Sequence, residues 1–159
     1  MRSRVHLLTL VLALFIGGAG ASKAAEQEGK VAADPAGKIS LHTLDGDVQQ
    51  VNVDEIWRVR GPSGRDEPAG AVIVDYAFER LFVKGPLESV VHDIGNQRKI
   101  VKFTSPSGAP IYILPEKVIG ISRALPYQHH ANSKSIIIAR EGQQQVQEPR
   151  DSVRDALGK

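Results

Sequence analysis

Cysteine is absent from the 159-residue chain. Its absence excludes disulfide bonds, a thiolate nucleophile, a cysteine-based zinc site and lipid attachment through an N-terminal cysteine. Small extracellular domains are often held together by disulfides, so this chain needs a hydrophobic core that is stable without them. About 120 residues are enough for such a core, because a domain of that size buries most of its apolar surface.

Long hydrophobic runs are also lacking, and the longest one lies at the N-terminus. Two arginines precede an apolar run over residues 7–16, and small residues follow it. A run of about ten residues is too short to cross a bilayer, which takes about twenty. This layout is typical of a signal peptide over residues 1–24, cleaved after Ala21 or Ala24; an uncleaved membrane anchor is the alternative.

The charge of the chain shows no excess of one sign. The full chain has 20 basic and 18 acidic residues, and two of the basic ones, Arg2 and Arg4, are removed by cleavage at either predicted site. The mature chain therefore has a net charge of about zero, or about −1 if Lys23 is removed as well. This balance and the predicted export argue against a nucleic-acid partner. The predicted export favours a periplasmic or secreted protein that is not integral to the membrane after cleavage.

Motifs of the common enzyme classes are missing too. The chain contains no Gly-x-Ser-x-Gly elbow, His-Glu-x-x-His, P-loop or dinucleotide fingerprint. Acidic pairs occur as Asp54 with Glu55 and as Asp66 with Glu67. Adjacency in sequence does not give the facing carboxylates that acid–base hydrolysis needs, and a turn or capping role for Asp54 is the simpler account. We therefore predict no enzymatic activity and no cofactor.

Beyond the predicted signal peptide, residues 25–37 are polar and small, with Pro and Gly but no apolar periodicity. Such a composition is typical of a flexible tether. The folded part of the chain is therefore expected to begin at Lys38.

Two stretches of the folded part resemble each other over four collinear segments. VNVDEIWRV at 51–59 matches ILPEKVIGI at 113–121, and VKGPLESVV at 83–91 matches VQEPRDSVR at 146–154. Chance could produce any one of these matches, but their common order favours a duplicated unit. An internal repeat of this kind indicates one small structural unit that is used twice.

Each half contains about five short apolar runs separated by turn residues, which is typical of β-strands. Asp45 followed by Gly46 gives the strongest hairpin signal in the first half. The runs are ISLHTL, VQQVNV, IWRVR, AVIVDY and RLFVKG in the first half, and IVKFT, PIYIL, VIGIS, SIIIAR and QQQVQ in the second.

A short amphipathic helix is predicted to close each half. Pro86 is placed to begin the first helix, and apolar residues follow it at helical spacing. The second helix has Val153 and Leu157 as its core residues. The sequence therefore predicts a mainly β fold, a β-rich α+β protein in which repeat unit 1 (38–95) and repeat unit 2 (96–159) pack as a pseudo-dimer.

Each half resembles the FlbD-type small flagellar proteins. The matching pieces are LDGDVQQVNVDEIWRV with VKGPLESVV, and PSGAPIYILPEKVIGI with VQEPRDSVR. The chain departs from that family in its predicted export, in its two tandem units and in Pro-Ser-Gly at the first hairpin of the second unit. The resemblance implies a small accessory or interaction module without catalysis, and it does not imply a flagellar role.

Two adjacent histidines, His129 and His130, lie in the predicted loop ALPYQHHANSK. Neutral imidazoles bind zinc or copper, so both are candidate metal ligands and candidate partner-binding residues. Neighbours on a strand point to opposite faces, however, and no acid or cysteine accompanies them at ligand spacing. An exposed polar loop is the alternative.

Two aromatic residues complete the partner-binding candidates. Trp57, together with Tyr76 or Tyr127, could stack on a sugar ring or anchor a partner, while packing in the core or between the halves is the alternative for Trp57. Aromatic residues make up only 5% of the chain, which weakens a carbohydrate-binding interpretation.

The run at 143–147 is uncharged and compatible with a strand, so as an edge it could pair with another copy and form a homo-oligomer. A solvent-facing polar strand is the alternative. Together these features predict a non-enzymatic interaction or accessory protein with a protein partner in the periplasm or cell envelope. The rival from another class is a small ligand- or metal-binding protein, or a hydrolase, that uses the loop at 122–134.

Overall fold

A computed structural model describes residues 37–159, and the predicted signal peptide and all but the last residue of the predicted tether lie outside them. The mainly β prediction is confirmed: the described residues form ten strands and two α-helices. The first half contains β1 (Lys38–His42), β2 (Val48–Asn52), β3 (Ile56–Arg60), β4 (Val72–Tyr76), β5 (Glu79–Val83) and α1 (Leu87–Gly95). The second contains β6 (Val101–Thr104), β7 (Pro110–Ile113), β8 (Val118–Arg123), β9 (Ser135–Ala139), β10 (Gln143–Val146) and α2 (Arg150–Leu157).

The element order of the first half recurs in the second. In both halves a hairpin leads into a short 3-10 helix, a three-stranded antiparallel meander and a closing helix. The two hairpins turn at Gly46 and Gly108, whose φ angles are 94° and 91°. Glycine adopts this left-handed backbone without the steric cost that a Cβ brings, which explains the turn signals in the sequence.

The two helices begin as the sequence predicts, directly after Pro86 and Pro149. Val90 and Ile94 of α1 are buried, as are Val153 and Leu157 of α2. Helices of this length are marginal in water on their own, so their stability depends on this docking. Each helix packs on its own half, α1 against β1 and β3 and α2 against β8 and β9.

The ten strands form three sheets. One has two strands (β1–β2), one has three (β10–β9–β8), and one has five in the order β5–β4–β3–β7–β6. The five-stranded sheet contains strands of both halves, because β3 pairs antiparallel with β7. In that pairing Arg58 lies opposite Ile113, and Val59 lies opposite Tyr112.

The buried apolar side chains form two clusters, one centred in each half, and the first also includes Leu114 of the second half. The first surrounds Ile39, Ile56 and Ile94, and the second surrounds Ile137 and Val153. Burial of one such side chain contributes about 1.5–3 kcal/mol. Two clusters and one shared sheet explain how a chain without disulfides holds both halves together. Among residues 37–159, no helix has the length and apolar character needed to cross a membrane.

Candidate functional site

A cluster of buried charges occupies the middle of the five-stranded sheet. Asp75 on β4 lies opposite Arg58 on β3, and its Oδ2 accepts a 2.8 Å hydrogen bond from Arg58 Nε. Arg80 on β5 donates from Nε to the other carboxylate oxygen over 3.0 Å, and Arg60 Nε lies 3.9 Å from Oδ2. One carboxylate therefore balances three guanidinium groups.

A second carboxylate, Glu67, joins the cluster from the loop at 61–70. Its oxygens accept hydrogen bonds from Arg60 at 2.6 and 2.8 Å, and from Arg80 at 3.0 Å. The backbone N–H groups of Ser63 and Gly64 also donate to it. The hydrogen bonds from Arg60 lead these effects and hold the pKa of Glu67 well below its usual range. The turn-forming residues of this loop thus wrap the backbone around one buried carboxylate.

Arg58 extends the cluster into the second half. Its Nη1 donates to Gln144 Oε1 over 2.6 Å and reaches the backbone oxygen of Gln143 at 3.4 Å. Its guanidinium lies 4.3 Å from the centre of the Trp57 ring, which is a cation–π contact. Burial lowers the pKa of Arg58, and Asp75 opposes that effect. The bond from Arg58 to Gln144 connects β3 to β10. The charges of the cluster are satisfied by one another, so the cluster presents no free pair of carboxylates for acid–base chemistry.

The cluster was missed at the level of sequence, although a signal existed. Arg58 stands in the apolar run IWRVR and Asp75 in the apolar run AVIVDY. Opposite charges in two successive strands that pair antiparallel predict a buried ion pair, because a lone buried charge is too costly. The register that brings these two residues face to face comes only from the structure.

The long loop between β8 and β9, residues 124–134, is the second candidate site. The side chain of Tyr127 is fully exposed, and Leu125 is 49% exposed. The loop is nevertheless ordered by hydrogen bonds, because the N–H groups of Gln128 and His129 both donate to the Leu125 oxygen. Asn132 donates from Nδ2 to the Pro106 oxygen over 3.2 Å, which attaches the loop to the β6–β7 turn.

The two histidines serve as hydrogen-bond partners within this loop. His129 Nδ1 accepts from the Leu125 N–H over 2.9 Å, and His130 Nδ1 lies 3.2 Å from the Asn132 N–H. The His130 N–H in turn donates to Gln145 Oε1 on β10. Within the part of the chain that the structure describes, no group of three or more His, Cys, Asp or Glu side chains is placed to hold a metal ion.

A cleft of about 350 Å³ lies between the loop ends and includes His130. Arg60, Ser63 and Gln144 also line it, whereas His129, Asp66 and Glu67 are not among its lining residues. This cleft therefore does not bring both histidines together with Asp66 or Glu67, as the hydrolase alternative requires.

Trp57 differs from the other three partner-binding candidates because it is buried, with 2% of its surface exposed. Its ring packs beside Gly142, where a Cβ would lie 3.5 Å from it, and under the guanidinium of Arg58. This is the packing role that the sequence left open for Trp57. Tyr127, His129 and His130 share one loop, and Trp57 lies outside it.

The turn between β4 and β5 has a feature that the sequence did not reveal. Tyr76 pairs with Glu79, so Ala77 and Phe78 form a two-residue hairpin loop with φ angles of 43° and 66°. Such turns favour Asn-Gly, because the left-handed region costs about 1–2 kcal/mol for a residue with a Cβ. Phe78 is also 76% exposed, beside a cleft of about 420 Å³ that Trp57 and Arg80 help to line.

The outer edge of β10, proposed above as an oligomerisation edge over 143–147, faces other groups of the same chain. The Gln143 oxygen accepts from Arg58, and the Gln145 oxygen accepts from the Gln144 side chain over 2.7 Å. The Gln147 N–H donates to the Thr104 oxygen over 2.9 Å. These bonds occupy groups that an incoming strand would need.

Comparison with known proteins gives no relative. No protein-family model, no curated protein and no solved structure matches this chain. The resemblance to the FlbD-type proteins stays a prediction.

Proposed function

We propose that this chain is an exported, non-enzymatic interaction or accessory protein of the periplasm or cell envelope, built from two copies of one β-rich unit. Its protein partner binds the loop at 124–134 through Leu125 and Tyr127, a pair that we call the loop patch. The single observation that carries the proposal is the full exposure of Tyr127 on a loop that hydrogen bonds hold in place.

Exposure supports the proposal because burying a large exposed aromatic side chain under a partner contributes much binding free energy. A tyrosine has an apolar ring and a polar hydroxyl, and such residues are frequent among those that contribute most to binding. Leu125 lies two positions away, and the His129 N–H and Gln128 N–H both bond to its oxygen. These bonds hold the backbone of the turn that carries both exposed side chains.

Preorganisation supports it further. Ordering a loop on binding costs free energy, and a loop that is already ordered avoids that cost. Here the Asn132 side chain attaches the loop to the β6–β7 turn, and the His130 N–H attaches it to Gln145 on β10. The histidines thus contribute to binding by shaping the loop.

The corresponding loop of the first half, at 61–70, has a different, structural role. Its Glu67 is held by Arg60 and Arg80, so that loop folds back on the sheet. A scaffold used twice leaves one loop free to diverge for binding while the other stabilises the fold. This contrast supports a binding role for the loop of the second half.

A small ligand- or metal-binding protein, or a hydrolase, at residues 122–134 is the alternative function. It requires the free ring nitrogens of His129 and His130 to act on a ligand, with an acid supplied from elsewhere. The experiment below includes a measurement that separates it from the interaction function.

The test is photo-crosslinking in the producing cell. A photoreactive residue replaces Tyr127 in the full-length exported chain, and the matched control carries it at Glu88, an exposed position on α1. We expect an adduct with one other protein from position 127 and none from position 88. The additional change Leu125→Ala should reduce the adduct several-fold, because it removes the second apolar contact.

Metal content of the same purified protein completes the test. Stoichiometric metal that is lost in His129→Ala with His130→Ala, together with no adduct at 127, would replace the interaction function with the metal-binding one. Equal adducts from positions 127 and 88 would show that the loop patch has no special role.

A further inference from the structure

The strand counts of the three sheets suggest how two copies of the chain meet. The five-stranded sheet joins the meander β5–β4–β3 of the first half to the hairpin β7–β6 of the second. By element order, β8–β9–β10 corresponds to that meander, and β1–β2 corresponds to that hairpin. These two corresponding pieces stand apart as the three-stranded and two-stranded sheets, ending in β8 and β2.

In the part of the chain that the structure describes, the outer edge of β8 lacks the strand that covers β3, and the 2.9 Å hydrogen bond from Lys159 Nζ to the Val118 oxygen lies before the segment 120–122. Among residues 37–159, β8 pairs only with β9, and Ile119 is 63% exposed. Trp57 holds the same place in β3 as Ile119 holds in β8, and it is buried. Both strands have an irregularity at this point, between Ile56 and Arg58 and between Val118 and Gly120. The two strands are therefore alike in local geometry, and only β3 has a partner at its edge.

The outer edge of β2 is the matching free edge. Within the described part of the chain, β2 pairs only with β1, whose other side contacts β5 through the bridge of Thr43 with Val83. Val48 at the start of β2 is 55% exposed. An unpaired edge carries backbone N–H and C=O groups that can pair with a further strand.

We propose that β8 of one copy pairs antiparallel with β2 of a second copy, which rebuilds between molecules the five-stranded sheet that β3 and β7 form within one. Carrying over the β3–β7 register places Gly120 opposite Val51, Ile121 opposite Gln50, and Ser122 opposite Gln49. Main-chain hydrogen bonds supply the affinity in such strand addition, and the flanking side chains supply the specificity.

Charge complementarity favours a second copy as the occupant. A groove of about 210 Å³ beside β8 is lined by three basic residues: Arg150, Arg154 and Lys159. β2 is flanked in sequence by four exposed acidic residues; Asp54 is already paired with Arg98, and the other three are Asp45, Asp47 and Glu55. The basic groove thus meets an acidic hairpin, which steers the two edges together and disfavours the pairing of two β8 edges.

Every copy carries both edges, so the contact is heterologous and can repeat. Two copies close a ring if the geometry permits, and otherwise further copies add on to form an open filament. Both assemblies contain the same β8–β2 contact. The loop patch is not part of this contact, so a failure of the proposed function and a failure of this pairing are distinguishable.

Single cysteines provide the test, because the natural chain has none. Full-length exported protein with Ile121→Cys is mixed with protein carrying Gln50→Cys under mild oxidation, so that a mixed disulfide forms only between copies. Opposite residues on antiparallel strands have Cα atoms about 4.5–5.5 Å apart, which suits a disulfide. We expect the 121–50 mixed disulfide, identified by mass spectrometry.

The matched control replaces Ile121→Cys with Ser122→Cys, again mixed with Gln50→Cys. A shift of one residue points the side chain to the opposite face of the sheet, so the 122–50 disulfide should be at least about tenfold rarer. Equal yields from both mixtures would show random collision and overturn the pairing.

Sedimentation of the cysteine-free mature chain gives a second readout. We expect concentration-dependent dimers or larger assemblies, and Ile119→Lys or Val48→Lys should weaken them about tenfold or more, because a lysine at a strand edge opposes pairing. A wild-type chain that stays monomeric at millimolar concentration would overturn the proposal. So would amide protection of residues 119–121 that is independent of concentration, because a segment of the same chain would then cover β8.

Discussion

β3 and β8 hold the same place in the element order of the two halves, and their surroundings are opposite. All five residues of β3 are buried, whereas only Val118 of β8 is. β3 is covered by β7 at its second edge and connected by Arg58 to β10, while β8, among residues 37–159, has β9 as its single neighbouring strand and has no charge at Gly120. Burial of a strand is therefore decided by what lies beside it, and not by its own position in a unit. Four predictions test this difference.

The largest effect is expected where the two strands differ most in burial. Trp57→Ala should lower the free energy of unfolding by about 3–5 kcal/mol, because it leaves a cavity under Arg58 and Gly142. Ile119→Ala should change it by no more than about 0.5 kcal/mol, because that side chain is mostly in solvent. Urea unfolding of both variants at low protein concentration measures the contrast. Equal losses would mean that β8 is as well covered as β3.

The next effect concerns the shared carboxylate. Asp75→Asn should cost about 3 kcal/mol, because it leaves the buried guanidinium of Arg58 without its counter-charge, whereas Arg60 and Arg80 keep Glu67. Arg58→Met should cost less, about 1–2 kcal/mol, because Asp75 keeps its contacts with Arg60 and Arg80. Chemical denaturation at neutral pH ranks the two variants, and the reverse order would contradict the assignment of Asp75 as the centre of the cluster.

Acid should destabilise the first half through Glu67. The pKa of Glu67 is lower in the folded protein than in the unfolded chain, where a glutamate titrates at about 4.3. The stabilisation is therefore complete above that value and is lost as the pH falls from about 5 towards the folded pKa.

Glu67→Gln tests this dependence. The variant should be less stable than wild type by about 1.5–3 kcal/mol at pH 7, and the difference should shrink towards pH 3. Asp66→Asn, at the exposed neighbouring position, is the control and should follow the wild-type curve. Unfolding curves from pH 3 to 7 give the comparison, and a gap that stays constant with pH would contradict it.

The smallest effect is expected at the turns that end the two meanders. Ala77 and Phe78 have positive φ angles, whereas no non-glycine residue of the corresponding turn after β9 does among residues 37–159. Replacing the pair with Asn-Gly should stabilise the protein by about 1 kcal/mol, because these residues tolerate the left-handed backbone. Phe78→Ala alone keeps the backbone strain and should give no such gain in a thermal unfolding experiment.

Much of the fold could be predicted from the sequence because its signals are local. The turn at Asp45 and Gly46 and the prolines before both helices each act on a few neighbouring residues. The three sheets could not be predicted in this way, because the pairing of β3 with β7 joins residues far apart in sequence.

The candidate site shows the same division. Tyr127, His129 and His130 could be chosen because their residue types and a loop composition are visible in the sequence. Packing in the core or between the halves could be predicted for Trp57, but its contact with Gly142 of the other half comes only from the structure. Likewise, the strained turn at Ala77 and Phe78 follows from a hairpin register that residue preferences alone would have argued against.

The pairing of β3 with β7 also has a consequence for the order of folding. Most other strand pairs join neighbours along the chain, and such contacts form early because they close short loops. The β3–β7 contact must wait until the turn of the second hairpin has been made. Until then the five strands of this sheet carry four open edges instead of two, and this is the interval in which the folding chain is most exposed to aggregation.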